Sequence, residues 1–292
     1  MQPFTFYETT PVWLILSIAL IGLIVGSFLN VLIYRLPVML ERMWKHECTL
    51  LLDPNAPADE PPIYNLFLPR SRCRQCQKPL AWYHNFPVLS FILLRGRCAY
   101  CRAKISWRYP MVELLCAVLS GFLAWFYGWN IQLVASLIFT WFLIPLLFID
   151  FDHQLLPDNL TLPLLWLGLF FNIQYTFASL ASAVAGAIIG YLFFWVVYWL
   201  FRLVTKKEGM GHGDFKLLAA LAAWTGWEYL LMLVLFSGIL GLIISITTAI
   251  VRRHSVKQAM PYGPALAIAG WVTLVWGPNL ADWYWQITGG NT

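Results

Sequence analysis

The sequence predicts an all-α, polytopic membrane protein with about eight transmembrane helices and a small cytoplasmic domain inserted between the first and second. Three observations carry that prediction. Of the 292 residues, 60% are hydrophobic and only 11% are charged, against about 25% charged in an ordinary soluble domain. Apolar runs long enough to cross a bilayer, which takes roughly 20 residues, recur along the chain. Basic residues, finally, gather in one long loop instead of spreading over a surface. The composition excludes soluble globular, disordered and collagen-like classes.

The first apolar run spans Pro11 to about Tyr34, and Arg35 follows it at once. Residues 1–10 hold no Lys or Arg, so the positive start of a cleavable signal peptide is missing. This run reads as a retained helix with its N-terminus outside the cytoplasm. The next stretch, Arg35 to Arg108, holds 12 Lys and Arg against five acids, a surplus of +7. Such a segment could bind nucleic acid. In a membrane protein, retention on the cytoplasmic side beside anionic lipid explains it better, and no nucleic-acid partner is expected.

Further apolar runs cover about 111–128, 131–150, 159–176, 178–204, 228–251 and 259–277. Between two of them, Phe215–Trp227 offers only 13 residues, or roughly 20 Å as a helix, short of a hydrocarbon core of about 30 Å. Counted as a crossing, it makes eight and puts Arg35–Arg108, Lys206-Lys207 and Arg252–Lys257 all on the cytoplasmic side, as the positive-inside rule prefers. The termini then both lie in the periplasm. Three divisions follow: a first transmembrane helix over 1–36, a cytoplasmic loop domain over 37–110, and a seven-helix membrane domain over 111–292.

The loop carries Cys73-Arg-Gln-Cys76 and Cys98-Ala-Tyr-Cys101. Two CxxC knuckles supply the four thiolates of a closed, tetrahedral zinc site. Disulfides or redox dithiols are the other reading, which a cytoplasmic location disfavours. Four thiolates leave no open position for water, so Zn²⁺ here is structural and folds a loop poor in apolar core. Cys48 and Cys116 lack partners at ligand spacing; Cys116 reads as a small packing residue.

Charge is scarce in the apolar part, and an ionisable group in a span is by default a functional candidate. Two places stand out. Phe148-Ile-Asp150-Phe-Asp152-His-Gln-Leu-Leu-Pro-Asp158 closes the third span, and Gly209-Met-Gly211-His-Gly213-Asp214-Phe-Lys216 opens the short one. Eight crossings bring both to the cytoplasmic boundary. Asp152 lies on another face of its helix from Asp150, and Asp158 suits an N-cap, so both read as structural. Asp214 also starts a helix, but the alternating glycines let the backbone approach another chain closely, which marks Gly209, Gly211 and Gly213 as a substrate-approach loop. A phosphate cradle is disfavoured because the loop ends in a carboxylate and lacks Gly-Lys-Ser/Thr. Two carboxylates meeting in a semi-dry recess share a proton, and one can activate water while the other protonates a carbonyl oxygen. Asp150 and Asp214 are therefore the candidate catalytic pair for peptide hydrolysis. Glu113 is expected to hydrogen-bond near a helix start, and Lys216 to snorkel beside the pair.

Taken together, the ordered motifs closely resemble the bacterial type IV prepilin peptidases, GxGD-type intramembrane aspartic proteases that are also N-methyltransferases. The likeness covers almost the whole length. It rests on Gly26-Ser-Phe-Leu-Asn-Val-Leu-Ile-Tyr-Arg-Leu-Pro37, the paired CxxC loop, Trp82-Tyr-His-Asn-Phe-Pro87 and Arg95-Gly-Arg-Cys98. Ile105-Ser-Trp-Arg-Tyr-Pro-Met-Val-Glu113, both aspartate motifs and Pro261-Tyr-Gly-Pro264 complete it. The resemblance implies a multi-pass protein of the bacterial inner membrane, serving type IV pilus assembly and type II secretion. It implies cleavage of a short basic leader from prepilins and pseudopilins, after a glycine, at the cytoplasmic face. The new N-terminal residue is then methylated with S-adenosylmethionine, and Gly96 matches a position associated with that step. Arg74 stands where many relatives have proline. A proton-coupled transporter using the same two aspartates is the alternative from another class.

Overall fold

The computed structural model describes residues 10–53, 64–73, 75–81, 86–207, 209–252 and 261–288. Trp82 to Asn85, Arg74 and Arg253 to Lys257, all invoked above, lie outside these. Packing divides the chain into two compact units, residues 1–133 and 134–292. Among the described residues five helices are long and apolar enough to cross a membrane, which makes this a multi-pass membrane protein; the count of eight goes beyond that measure.

In the first unit, helix α1 (Val12–Leu52) packs along α3 (Arg108–Tyr127). Gly26 permits the close approach: a Cβ there would fall 2.9 Å from the Cα of Glu113 and 3.0 Å from the Cβ of Cys116. Cys116 is fully buried at this seam, the packing role expected of it. The 41 residues of α1 reach about 60 Å, so the helix does not end at Arg35 as the sequence suggested. It continues through Pro37 because Arg35 is buried and bonded: its Nη1 donates to the carbonyl of Asn65 (2.8 Å) and its Nη2 to that of Pro69 (2.6 Å). The short helix α2 (Leu89–Leu93) precedes the second CxxC knuckle.

The second unit holds α4 (Ile131–His153), which enters it at Val134, then α5 (Asp158–Asn172), α6 (Leu180–Thr205), α7 (His212–Thr225), α8 (Leu230–Arg252) and α9 (Gly263–Thr288). The 14-residue α7 is the buried centre, with α5, α6 and α9 packed on it. Its alanines, Ala219, Ala220, Ala222 and Ala223, keep it thin, and small residues are what let helices approach in lipid. Asn172 secures its end. The Asn172 amide donates to the carbonyls of Ala223 (2.9 Å) and Trp224 (3.0 Å), and its oxygen accepts from the N–H groups of Phe177 and Ala178. Asn172→Ala should orphan these groups and cost about 3 kcal/mol, read as a lowered Tm.

Candidate active site

Asp150 occupies the last turn of α4 and is 5% exposed; Asp214 is the third residue of α7 and is 8% exposed. Asp152 is exposed, as its different helix face required. The two motifs meet because Gly213 has no side chain: a Cβ there would sit 2.8 Å from the Cβ of Leu156, in the turn that follows Asp150. Asp214 lies within the field of the Asp150 carboxylate. The Asp214 carboxylate also accepts from the backbone N–H of Gly211, the N-cap of α7. This is the carboxylate half of a capping box, so the capping role is real and coexists with the pairing.

A third element completes the site. The backbone N–H of Gly263, the first residue of α9, donates to Asp150 Oδ2 at 2.9 Å in a buried bond. Each acid therefore sits at a helix N-terminus, where the unsatisfied N–H groups favour negative charge. Tyr262, next to this donor, hydrogen-bonds Ser237 (2.7 Å) and lies in the field of Asp214. A ring cluster of Phe194, Tyr198, His212 and Phe215 backs the start of α7. The arrangement is two buried carboxylates from distant motifs, one held by α9 and the other by its own helix turn.

The glycines of the loop divide by role. A Cβ on Gly209 would strike the ring of Phe201 at 2.6 Å, and Gly213 is committed to Leu156, whereas Gly211 meets only Asp214 Oδ2 at 3.8 Å. Gly211 alone of the three leaves open space beside a carboxylate. Asp158 differs from expectation. Pro157 stands at the cap position, and the Asp158 side chain makes no capping bond. It instead accepts from Lys216 Nζ at 2.8 and 2.7 Å. A half-exposed pair of this kind contributes less than about 1 kcal/mol, and Lys216 is thereby an ion-pair partner across α5 and α7.

In the first unit the sulfurs of Cys73, Cys76, Cys98 and Cys101 all lie within 4.8 Å of one another, a group able to hold a metal ion. The two knuckles are built alike. Cys73 N–H donates to Lys78 and Cys98 N–H to Ala103; the carbonyls of Cys73 and Cys98 accept from Gln77 and Arg102. Gln77 and Arg102 both take left-handed backbones at φ 56°. Backbone N–H groups of Cys76 and Gln75 pull the Cys73 thiol below its ordinary value, which favours the thiolate that a metal binds. Gly96 (φ 65°) turns the chain directly before the second knuckle, and its Cβ would press on Phe91 at 3.0 Å.

Residues 20–127 match the family model described as the bacterial peptidase A24 N-terminal domain, and residues 137–246 match the type IV leader peptidase family. The chain belongs to the type IV leader peptidase family. It is 48% identical to a prepilin leader peptidase/N-methyltransferase of Stutzerimonas stutzeri over 98% of this chain and 99% of the relative. It is 50% identical to one of Aeromonas hydrophila over 93% and 94%, and 48% identical to one of Pseudomonas aeruginosa over 96% of each. No solved structure matches. The transporter alternative gains no support from these relatives.

Within this family member, sequence reasoning missed Gly263 as a functional residue. Its contribution is a backbone N–H, visible beforehand only as a glycine flanked by Tyr262 and Pro264 at a helix start. Gly263→Ala should test it, because a Cβ would lie 2.6 Å from Asp150 Oδ2 and must displace the carboxylate. A misplacement near 1 Å costs about 10²-fold; the expected result is that loss in kcat for peptide cleavage, with KM little changed.

Proposed function

We propose that this protein removes the leader peptide of type IV prepilins and pseudopilins and then N-methylates the new N-terminus. The observation that carries the first activity is the convergence of Asp150 and Asp214 from two motifs 64 residues apart: both are buried, the motifs meet at Gly213 and Leu156, and Asp214 lies in the field of Asp150. Like charges so placed do not both ionise readily, so the pair holds one shared proton. The ionised carboxylate takes a proton from water as its oxygen attacks the scissile carbonyl carbon. The protonated partner gives its proton to the carbonyl oxygen. When the tetrahedral carbon collapses, the C–N bond breaks, the departing amine takes the proton gained from water, and one hydroxyl of that carbon returns its proton to the partner carboxylate as the product carbonyl re-forms. Gly263 N–H fixes Asp150 and Gly211 N–H fixes Asp214 for these exchanges, and no metal participates in this scheme.

The leader is cut after a glycine at the cytoplasmic face of the bacterial inner membrane. A pilin helix anchored in the bilayer can offer its N-terminal end sideways to acids at the boundary, over the open ground at Gly211. The basic loop lies against anionic lipid; it would repel a basic leader. In this reading the chain crosses eight times and both termini lie in the periplasm.

The four cysteines hold a structural zinc ion. A tetrahedron with Zn–S of about 2.3 Å has sulfurs about 3.8 Å apart, and Cys73 Sγ lies 3.7 Å from Cys101 Sγ. S-adenosylmethionine, when bound, supplies an electrophilic methyl carbon on a sulfonium. Gly96 supports the methyltransferase unit by its turn over Phe91. The test is to incubate purified full-length protein with a synthetic prepilin peptide, with and without S-adenosylmethionine, and weigh the products. Loss of the leader in both reactions and a gain of one methyl only with donor is the expected result. An uncut peptide would reject the proposal.

A further inference from the structure

The first unit contains a cavity of about 940 Å³ between the cytoplasmic part of α1, the start of α3 and the cysteine knuckles. That volume is at the upper end of small-molecule sites, roughly 300–1,000 Å³, and large enough for a small molecule together with a chain end. Its wall is uneven in charge. Arg35, Arg42, Arg70, Arg72 and Lys104 line it, and Glu113 is its single acid among the described residues.

Glu113 is 8% exposed. Its Oε2 accepts the backbone N–H of Val88 at 2.7 Å, and Ser27 also bonds the carboxylate. Both partners are neutral, and among the described residues no Lys or Arg forms an ion pair with it. A carboxylate has about four acceptor positions, and an ionised one buried without a cation is costly. Arg35, which lines the same cavity, spends two donors on the carbonyls of Asn65 and Pro69. A buried acid with spare acceptor capacity, opening on a roomy cavity, is built to receive a cation from outside the chain.

We propose that this cavity is where methyl transfer occurs, and that Glu113 binds the terminal amine of the cleaved substrate and removes its proton. The inference rests on the methyltransferase reading above and deepens it. An α-amino group is mostly ammonium at neutral pH, with a pKa near 8, and an ammonium has no lone pair to attack. Transfer of one proton to the Glu113 carboxylate frees that pair. The amine nitrogen then forms a bond to the methyl carbon of the donor as the carbon–sulfur bond breaks. The electron pair of that bond stays on sulfur, which passes from sulfonium to thioether, and the product is a methylated ammonium. Val88 N–H and the Ser27 side chain hold the carboxylate in place, so they are positioning groups. The cationic wall lies opposite in character and suits the carboxylate of the donor.

The test uses full-length protein in detergent or lipid discs, with precleaved peptide as methyl acceptor and uncleaved peptide as control. Glu113→Gln should slow methylation on the order of 10²-fold at pH 7 and leave leader cleavage within about twofold. Donor binding, measured by calorimetry with S-adenosylmethionine alone, should stay within about threefold. The residual methylation should rise about tenfold per pH unit up to pH 8, following the free amine. Val31→Trp, which fills the cavity without removing any hydrogen bond, should abolish both donor binding and methylation while cleavage persists. Normal methylation in either variant overturns the proposal, as does a Glu113→Gln loss that is equal for cleavage and methylation. Wild-type protein that cleaves but never methylates would instead overturn the reading on which the proposal rests.

Discussion

Asp150→Asn and Asp214→Asn are each expected to stop leader cleavage, lowering its rate on the order of 10⁴-fold, in protein that remains folded. Asparagine keeps the size of the side chain and an oxygen that can still accept from Gly263 N–H or Gly211 N–H. What it cannot do is exchange a proton. The reaction needs one carboxylate to take a proton and the other to give one, so loss of either leaves no complete circuit. Replacing a buried acid with a neutral isostere also removes the repulsion between the pair, so stability should hold or rise. Product masses give the activity, and Tm with metal content shows that the fold is intact. Normal processing by either variant would remove the proteolytic account.

Zinc removal should have the second-largest effect. Wild-type protein is expected to carry one zinc ion per chain, and Cys73→Ser should abolish stoichiometric binding. The stretch from 64 to 107 contains one helix of five residues and, among the described residues, only two isolated bridges, Arg72 with Pro79 and Arg97 with Lys104. Little apolar burial supports it. A structural zinc contributes about 10–16 kcal/mol in isolated finger peptides, far more than these bridges can. Its loss should expose Arg70 to Arg102 to limited proteolysis and reduce methylation at least tenfold, because the same segment walls the cavity above Glu113. Metal-free protein with native protease resistance and full methylation would refute this.

The multi-pass character was legible because each apolar run must satisfy its own backbone in lipid, and among the described residues five helices are long and apolar enough to cross. Asp150 and Asp214 stood out for the converse reason, since a carboxylate in such surroundings is costly, and the fold buries both. The cysteines announced themselves by spacing. The continuation of α1 past Arg35 was hidden, since a cation and Pro37 look like a terminus until the carbonyls of Asn65 and Pro69 are seen to satisfy the guanidinium. The Lys216–Asp158 pair spans 58 residues and the Gly263–Asp150 bond 113. No local pattern encodes contacts of that separation, and a backbone donor leaves no trace in residue type. Asp158 misled in a related way: after Pro157 it looks like a cap, yet its carboxylate is drawn off by a lysine two residues beyond Asp214.

Whether Asp150 and Asp214 act as one device is tested most directly by the residual cleavage rates of Asp150→Asn, Asp214→Asn and the double variant, measured side by side. Residues that work as a unit are strongly non-additive. Three equal residual rates are therefore expected, with the second substitution adding nothing to the first. A double variant slower by the product of the two single effects would mean that the acids contribute independently, and would contradict a shared-proton pair.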